Sequence, residues 1–379
     1  MNTVPNKHSG FSLIEIIISI AILAIIFSFV FYFVSSISYK DITKDEKPYL
    51  FDDFNYSNKY CYLSEGQIDL LSIIKNVDMG SYISSSTIIS SIDTLDRDKI
   101  IITTNSASTT ESDIFMFGFE GLLYQLDIGP GITDALLHDR FLYVLNTSVN
   151  SHVKSFEVGA SNLNFLNEIK ITELAASHAM PKRIYLSDKN ILIGTEKNNG
   201  GGELFFLPLD DKNFLRYTTL SLEIGGQVSG MHAEQNILYI ANASDIELFA
   251  YDDHFTMISS YDAPLSLGNG KSVYYLHPYI FLGRTVASFE LFFLEMKDLA
   301  IRFIDKHKIG GSIDFIQGFG DYILIIGNTQ DKELQFFSKD RELIKSVDLP
   351  GRVTSYTCLE NQLIVSAIIN NQSHILWLK

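Results

Sequence analysis

Cysteine and tryptophan are nearly missing from this 379-residue sequence, with two of the first and one of the second. Cys61 and Cys358 stand far apart without a metal-ligand spacing. That excludes a cysteine-based zinc site and a dense disulfide framework, and leaves open a single bond between them. Basic residues are also scarce, 29 Lys and Arg against 45 Asp and Glu, a formal net charge of −16. Such a balance argues against broad binding to nucleic acid or anionic lipid, whose phosphates call for the opposite sign. Hydrophobic residues, in contrast, make up 46% of the chain and aromatics 12%. This composition excludes a disordered chain, and the length allows two or three domains with a large core.

The chain opens MNTVPNKHSGFSLIEIIISIAILAIIFSFVFYFV, and from Phe11 to Val34 only Ser12, Glu15, Ser19 and Ser28 are clearly polar. As a helix rising about 1.5 Å per residue this run covers roughly 36 Å, more than the roughly 30 Å hydrocarbon core of a bilayer. The leader before it carries Lys7, His8 and the terminal amine and no acid. By the positive-inside rule the leader stays cytoplasmic, which predicts a single pass through the inner membrane with everything after Val34 outside. A secretory signal peptide has a shorter apolar region followed by small residues. Here the small residue, Gly10, comes first. Glu15 is the anomaly, because a carboxylate within such a span costs on the order of a few kcal/mol unless it is paired.

The stretch Gly10-Phe11-Ser12-Leu13-Ile14-Glu15 closely resembles the type IV prepilin signature of pilins and of the pseudopilins of type II secretion and DNA-uptake systems. The resemblance implies that a prepilin peptidase cuts between Gly10 and Phe11, that Phe11 is N-methylated, and that the helix later leaves the membrane for a helical fibre. It implies as partners other pilin or pseudopilin subunits. It also implies a role for Glu15, at the family's fifth mature position, whose carboxylate meets the terminal amine of a neighbouring subunit. Inside an apolar filament that pair offsets the desolvation of both groups, and a slip of register leaves both unpaired. The resemblance spans about residues 7 to 40; the Gly or Pro that many major pilins carry farther along this helix is absent here. The plain alternative is a single-pass anchor with a glutamate near its cytoplasmic end.

The predicted organisation is a leader over 1–10, a filament helix over 11–46 ended ahead of Pro48, a linker with a possible ring-closing strand over 47–80, and a β domain over 81–379. In that last region short runs rich in Ile, Val, Leu, Phe and Tyr alternate with Gly, Asn and Asp clusters, an all-β pattern. It also repeats. Units begin at Gly131, near Met180, and at Gly226, Gly270, Gly311 and Gly351, spaced 40 to 49 residues apart. Each unit reads as a strand, a turn, an apolar strand such as NILYIAN, a turn, a strand such as IELFAYDD and a variable fourth strand. Four antiparallel strands per unit make a propeller blade, and a further unit from TIISSIDTL to GLLYQLDIG favours seven blades, with six or eight as alternatives. The repeats are similar to LVIVD-type propellers, on the apolar third strand that closes in an acid, as from Leu248 to Asp252. The final unit stops after three strands, and the stretch before Thr87 is the predicted filler of its open edge.

No catalytic residue, metal site or cofactor is expected. His138-Asp139 and His232 read as polar residues at turns after a first strand. The NNGGG run at Asn198–Gly202 lacks the helix and the lysine of a phosphate-cradling loop. Asp210-Asp211 and Asp252-Asp253 lack the spacing of a calcium loop, and the pairs Phe205-Phe206, Phe292-Phe293 and Phe336-Phe337 read as packing between blades. The expected function is a minor pilin or pseudopilin, not an enzyme, that displays a propeller for adhesion or recognition of a surface ligand. The alternative is a membrane-anchored propeller enzyme or sensor that uses the prepilin signal for export. Charged side chains converging in the central channel favour the alternative, and an apolar, plugged channel favours adhesion.

Overall fold

A computed structural model describes residues 63–379, apart from 97–98, 119, 148–151, 172–179, 188–189, 198–201, 218–219, 264–267, 286, 330 and 360–361. The predicted leader, the filament helix and most of the linker, with Gly10, Phe11 and Glu15, lie outside the described residues. Among the described residues no helix is long and apolar enough to cross a membrane.

The described strands form seven four-stranded antiparallel sheets. A short helix α1 (Glu65–Leu70) and a strand β1 (Ile73–Asp78) come first. The first blade holds β2 (Ile88–Asp96), β3 (Lys99–Asn105), β4 (Ile114–Gly118) and β5 (Gly121–Leu126), and the second holds β6 (Ile132–His138), β7 (Phe141–Asn146), β8 (His152–Val158) and β9 (Leu163–Lys170). The third holds β10 (Pro181–Ser187), β11 (Asn190–Thr195), β12 (Leu204–Pro208) and β13 (Ser221–Leu222), and the fourth β14 (Gln227–Glu234), β15 (Ile237–Ala243), β16 (Leu248–Tyr251) and β17 (Met257–Tyr261). The fifth holds β18 (Gly270–Leu276), β19 (Tyr279–Arg284), β20 (Leu291–Lys297) and β21 (Ala300–His307), and the sixth β22 (Ser312–Phe319), β23 (Tyr322–Asn328), β24 (Leu334–Ser338) and β25 (Leu343–Val347). The seventh is composite, with β26 (Arg352–Leu359), β27 (Gln362–Ile369) and β28 (Gln372–Leu378) completed on the outside by β1.

Packing explains the composition. A blade has a neighbour on each face, so its second strand is buried on both sides and reads as a continuous apolar run, as in β11, β15 and β23. The outer strands β5 and β17 touch water, with exposed and half-buried residues and none fully buried. Seven apolar clusters fill the seven gaps between blades. The Phe pairs serve two gaps at once, because successive strand residues point to opposite faces. Phe205 packs toward the second blade and Phe206 toward the fourth, while Phe292 packs toward the fourth and Phe293 toward the sixth.

Glycine opens the repeats for a steric reason. A Cβ on Gly351 would collide with the Ile368 carbonyl of the next strand, and one on Gly311 with that of Asn328. Ring closure rests on β1, which runs antiparallel to β28 from Ile73 opposite Leu378 to Asp78 opposite His374. Ser72 and Lys379 extend the seam with two backbone bonds of 3.1 and 3.0 Å. The ring thus takes in residues upstream of position 81. Leu63, Ile68 and Leu71 around α1 join the cluster between the sixth and seventh blades. Cys358, in β26, is disulfide-bonded; Cys61, the other cysteine of the sequence, lies outside the described residues.

Candidate functional site

The first strand of each blade lines the central channel, and all seven carry a bulge at the same register. The pairing slips between Ile89 and Ser91, Ile132 and Asp134, Pro181 and Arg183, and Val228 and Gly230. It slips again between Gly270 and Ser272, Ile313 and Phe315, and Val353 and Ser355. A bulge adds one residue, bends the strand and re-aims side chains. The residues so inserted are Ser90, Thr133, Lys182, Ser229, Lys271, Asp314 and Thr354, every one polar.

Below the bulges, side chains bond one blade to the next. The Ile92 N–H donates to Ser355 Oγ (3.1 Å), Leu137 N–H to Asp93 Oδ2 (3.0 Å), Ile184 N–H to Asp134 Oδ2 (3.2 Å) and Ala233 N–H to the Tyr185 hydroxyl (3.1 Å). Tyr275 donates to Gln235 Oε1 (3.4 Å), Ser272 Oγ to the Ile313 carbonyl (3.3 Å) and Tyr356 to Gln317 Oε1 (3.1 Å). All seven interfaces are therefore tied near the axis by a polar contact as well as by apolar packing.

Between the second and seventh blades the channel holds a cavity of about 220 Å³. Its wall includes Asp134, Arg183, His232, Lys271 and Asp314, with Tyr185, Tyr274, Phe315 and Tyr356. Arg183 reaches across it. Its Nε donates to the Ser229 carbonyl at 2.8 Å, and its guanidinium lies 5.7 Å from the ring centroid of Phe315 on the sixth blade. Lys271 pairs with Asp314 and also donates to Ser312 Oγ at 2.9 Å. Asp134 keeps slight contact with the channel, and both of its oxygens accept backbone N–H groups, from Ala135 (3.0 Å) and Ile184 (3.2 Å). Burial nevertheless lifts its carboxyl to about 6, against the opposing pull of Arg183. His232 is buried, and its imidazole is pushed down to about 3 by desolvation, so the ring is neutral. It packs 4.4 Å from the Tyr274 ring, and its Nε2 has no hydrogen-bond partner.

His232 thus departs from the expectation of a turn residue. Strand β14 continues to Glu234, and the turn falls on Gln235-Asn236, both at positive φ. His138 ends β6 and Asp139 sits in the following turn, as expected. Asp210 and Asp252 organise turns by accepting backbone N–H groups, Asp210 from Lys212 and Phe214 and Asp252 from His254 and Thr256. Asp252, Asp253 and His254 cluster on an outer turn of the fourth blade, away from the channel wall. Of the NNGGG run, the residues before Gly202 lie outside the described ones.

A second device was not anticipated. In five blades a buried acid stands immediately before the third strand: Asp113, Glu203, Glu247, Glu290 and Glu333. Each accepts backbone N–H groups of the segment leading to the next blade, at Ile128, at Ile224 and Gly225, at Ala263, at Ile309 and Gly310, and at Leu349. Glu247 accepts in addition from Arg284 at 2.8 Å, the largest fully buried side chain among the described residues, which also contacts the Gly268 carbonyl and the Phe292 ring.

Comparison with known proteins separates the two parts of the chain. The family described as the prokaryotic N-terminal methylation motif matches residues 5–31. No curated protein sequence matches the chain. Among solved structures, the described fold is similar to a chain of the mitotic checkpoint complex (13% identity, 81% of this chain and 93% of that one, TM-score 0.59). It is also similar to a putative 6-phosphogluconolactonase from Bacteroides uniformis (12% identity, 72% and 90%, TM-score 0.59). The computationally designed Ika8 protein is a further likeness (11% identity, 77% and 96%, TM-score 0.51). At these identities the likeness is one of fold. The chain therefore begins with a type IV prepilin-like segment, which marks an exported, membrane-anchored protein, and continues as a seven-bladed propeller.

Proposed function

We propose that this protein is a minor pilin or pseudopilin, a subunit of a type IV pilus or type II secretion-like filament whose propeller head serves adhesion or recognition. The observation that carries this reading is the methylation motif at residues 5–31 followed in the same chain by seven blades. A head of that size repeated along a fibre crowds its neighbours, which favours a tip or minor position over that of a major subunit. Glu15 then pairs with the methylated amine of a neighbouring Phe11. Asp134 and Asp93 accept backbone bonds between blades and Lys271 pairs with Asp314, so most of the channel's charge holds the ring together, which supports recognition over catalysis, and Arg183 alone among the described residues keeps an edge open toward the cavity.

The alternative, a membrane-tethered sensor or enzyme exported by the same signal, is favoured by one observation, the convergence of Asp134, Arg183, His232, Lys271 and Asp314 on a single cavity. The deciding experiment is mass spectrometry of the mature amino terminus in the native cell, for wild type and Gly10→Ala, with quantification in the sheared filament fraction. The filament reading expects N-methylated Phe11 and presence in that fraction, both lost in the variant. Processing without recovery in filaments supports the tethered sensor, and an intact Met1 overturns the filament reading and leaves a membrane anchor carrying a propeller whose function lies in its channel.

A further inference from the structure

The cavity has features of a binding site that the ties between blades do not use. Its wall carries one open guanidinium edge, and behind the wall lies one unpartnered imidazole nitrogen. The Nε2 of His232, a residue 5% exposed, bonds to nothing among the described residues. The terminal nitrogens of Arg183 also have no hydrogen bond there, because Nε alone is engaged and the oxygens of nearby Asp134 are occupied by backbone. A guanidinium whose edge is open is a fork for two parallel oxygens, the geometry of a carboxylate. Leaving such donors unmatched in a confined site costs free energy that a ligand recovers.

The remaining walls specify the body of the ligand. Phe315 lies against Arg183 and makes an edge-to-face contact with Tyr356 at 5.3 Å, and Tyr274 covers the His232 ring. Flat aromatic surfaces favour a flat guest. A cavity of about 150 Å³ accepts benzene, so 220 Å³ suits about ten non-hydrogen atoms. We propose that the channel binds a small planar carboxylate, with the carboxylate on the Arg183 fork and the body between Phe315 and Tyr274. This deepens the reading of the head as a recognition module by naming the chemistry it recognises.

The test is isothermal titration of the full processed chain in detergent with benzoate and 4-hydroxybenzoate, and with benzyl alcohol and inorganic phosphate as controls. At least one carboxylate is expected to bind with a Kd of about 1 mM or tighter, and benzyl alcohol at least about tenfold more weakly, since it leaves the fork unpaired. Arg183→Gln abolishes the binding. Because Arg183 also ties the third blade to the fourth, Arg183→Lys serves as a second variant that keeps the positive charge and removes the fork; it weakens benzoate at least about tenfold. The proposal is overturned if neither carboxylate saturates below about 10 mM, if benzyl alcohol or phosphate binds as well as benzoate, or if a cooperatively melting Arg183→Gln still binds. Failure here leaves amino-terminal processing and filament recovery as they are measured, and failure of that assay leaves a titrated carboxylate site in place.

Discussion

A guanidinium buried among hydrocarbon survives only with its charge matched, and Arg284 meets this condition through Glu247, its neighbour from the preceding blade. Removing one member of such a pair strands the other, at a cost of about 3–5 kcal/mol, whereas replacing both by apolar residues of like volume is far milder. Glu247→Gln is therefore expected to lower the denaturant midpoint sharply, and Glu247→Leu with Arg284→Met to recover most of the loss. Equilibrium unfolding of the three chains checks this. Asp134 provides the pH-dependent counterpart. Its carboxyl, lifted to about 6 from an ordinary 3.8, holds its proton more tightly folded than unfolded. Its contribution is thus fully present below about pH 4, is lost as pH rises toward 6, and stays lost above. Asp134→Asn should flatten that part of the curve. The difference between wild-type and variant melting temperatures, measured from pH 4 to 7, should change by the equivalent of about 1–3 kcal/mol.

Elements show where sequence was readable and where it was not. The blades were legible because a strand packed on both faces must be apolar throughout, and because the glycines that start the repeats have no room for a side chain. The acids before the third strands were equally periodic, Glu203, Glu247, Glu290 and Glu333 falling 43 or 44 residues apart. They pass for turn residues until the chain is folded, since their backbone partners lie about 16 to 22 residues onward. Helix α1 left a small signal, Ser64 followed by Gln67, whose side chain accepts the Ser64 N–H at 3.0 Å. The cavity left none, because its members sit on first strands of different blades and a polar residue there, inserted in a bulge as Lys271 and Asp314 are or following one as Asp134 and Arg183 do, breaks the apolar pattern that marks a strand. His232 was misplaced for the same reason, as a polar residue within an inner strand looks like the end of that strand. At this scale the disulfide of Cys358 secures the closing blade. Cys358→Ser is expected to cost about 2–5 kcal/mol, read as a drop in thermal midpoint, and peptide mapping without reductant should join Cys358 to Cys61.

For the whole molecule, stability depends on a seam between the two ends of the ring. Seven interblade clusters and seven polar ties are arranged in a circle, so opening one gap exposes two apolar blade faces. Deleting Gln372–Lys379 removes β28 and leaves β1 with nothing to pair against. The truncated chain is expected to lose cooperative unfolding and to become protease-sensitive across the seventh and first blades, as limited proteolysis would show, whereas trimming Lys379 alone removes two seam bonds and leaves the ring closed.

The same seam also sets a timetable. Ile73 finds its partner Leu378 only after about 300 further residues have been made, roughly 15–60 s at 5–20 residues per second. During that interval the prepilin-like segment is available to the export and processing machinery, while each of the first six blades has its own four strands nearby in sequence and can form as it emerges. Strand β28 then locks the first strand of the head. A chain interrupted before β28 reaches the outside with an open edge, so the seam reports that all seven blades have been made.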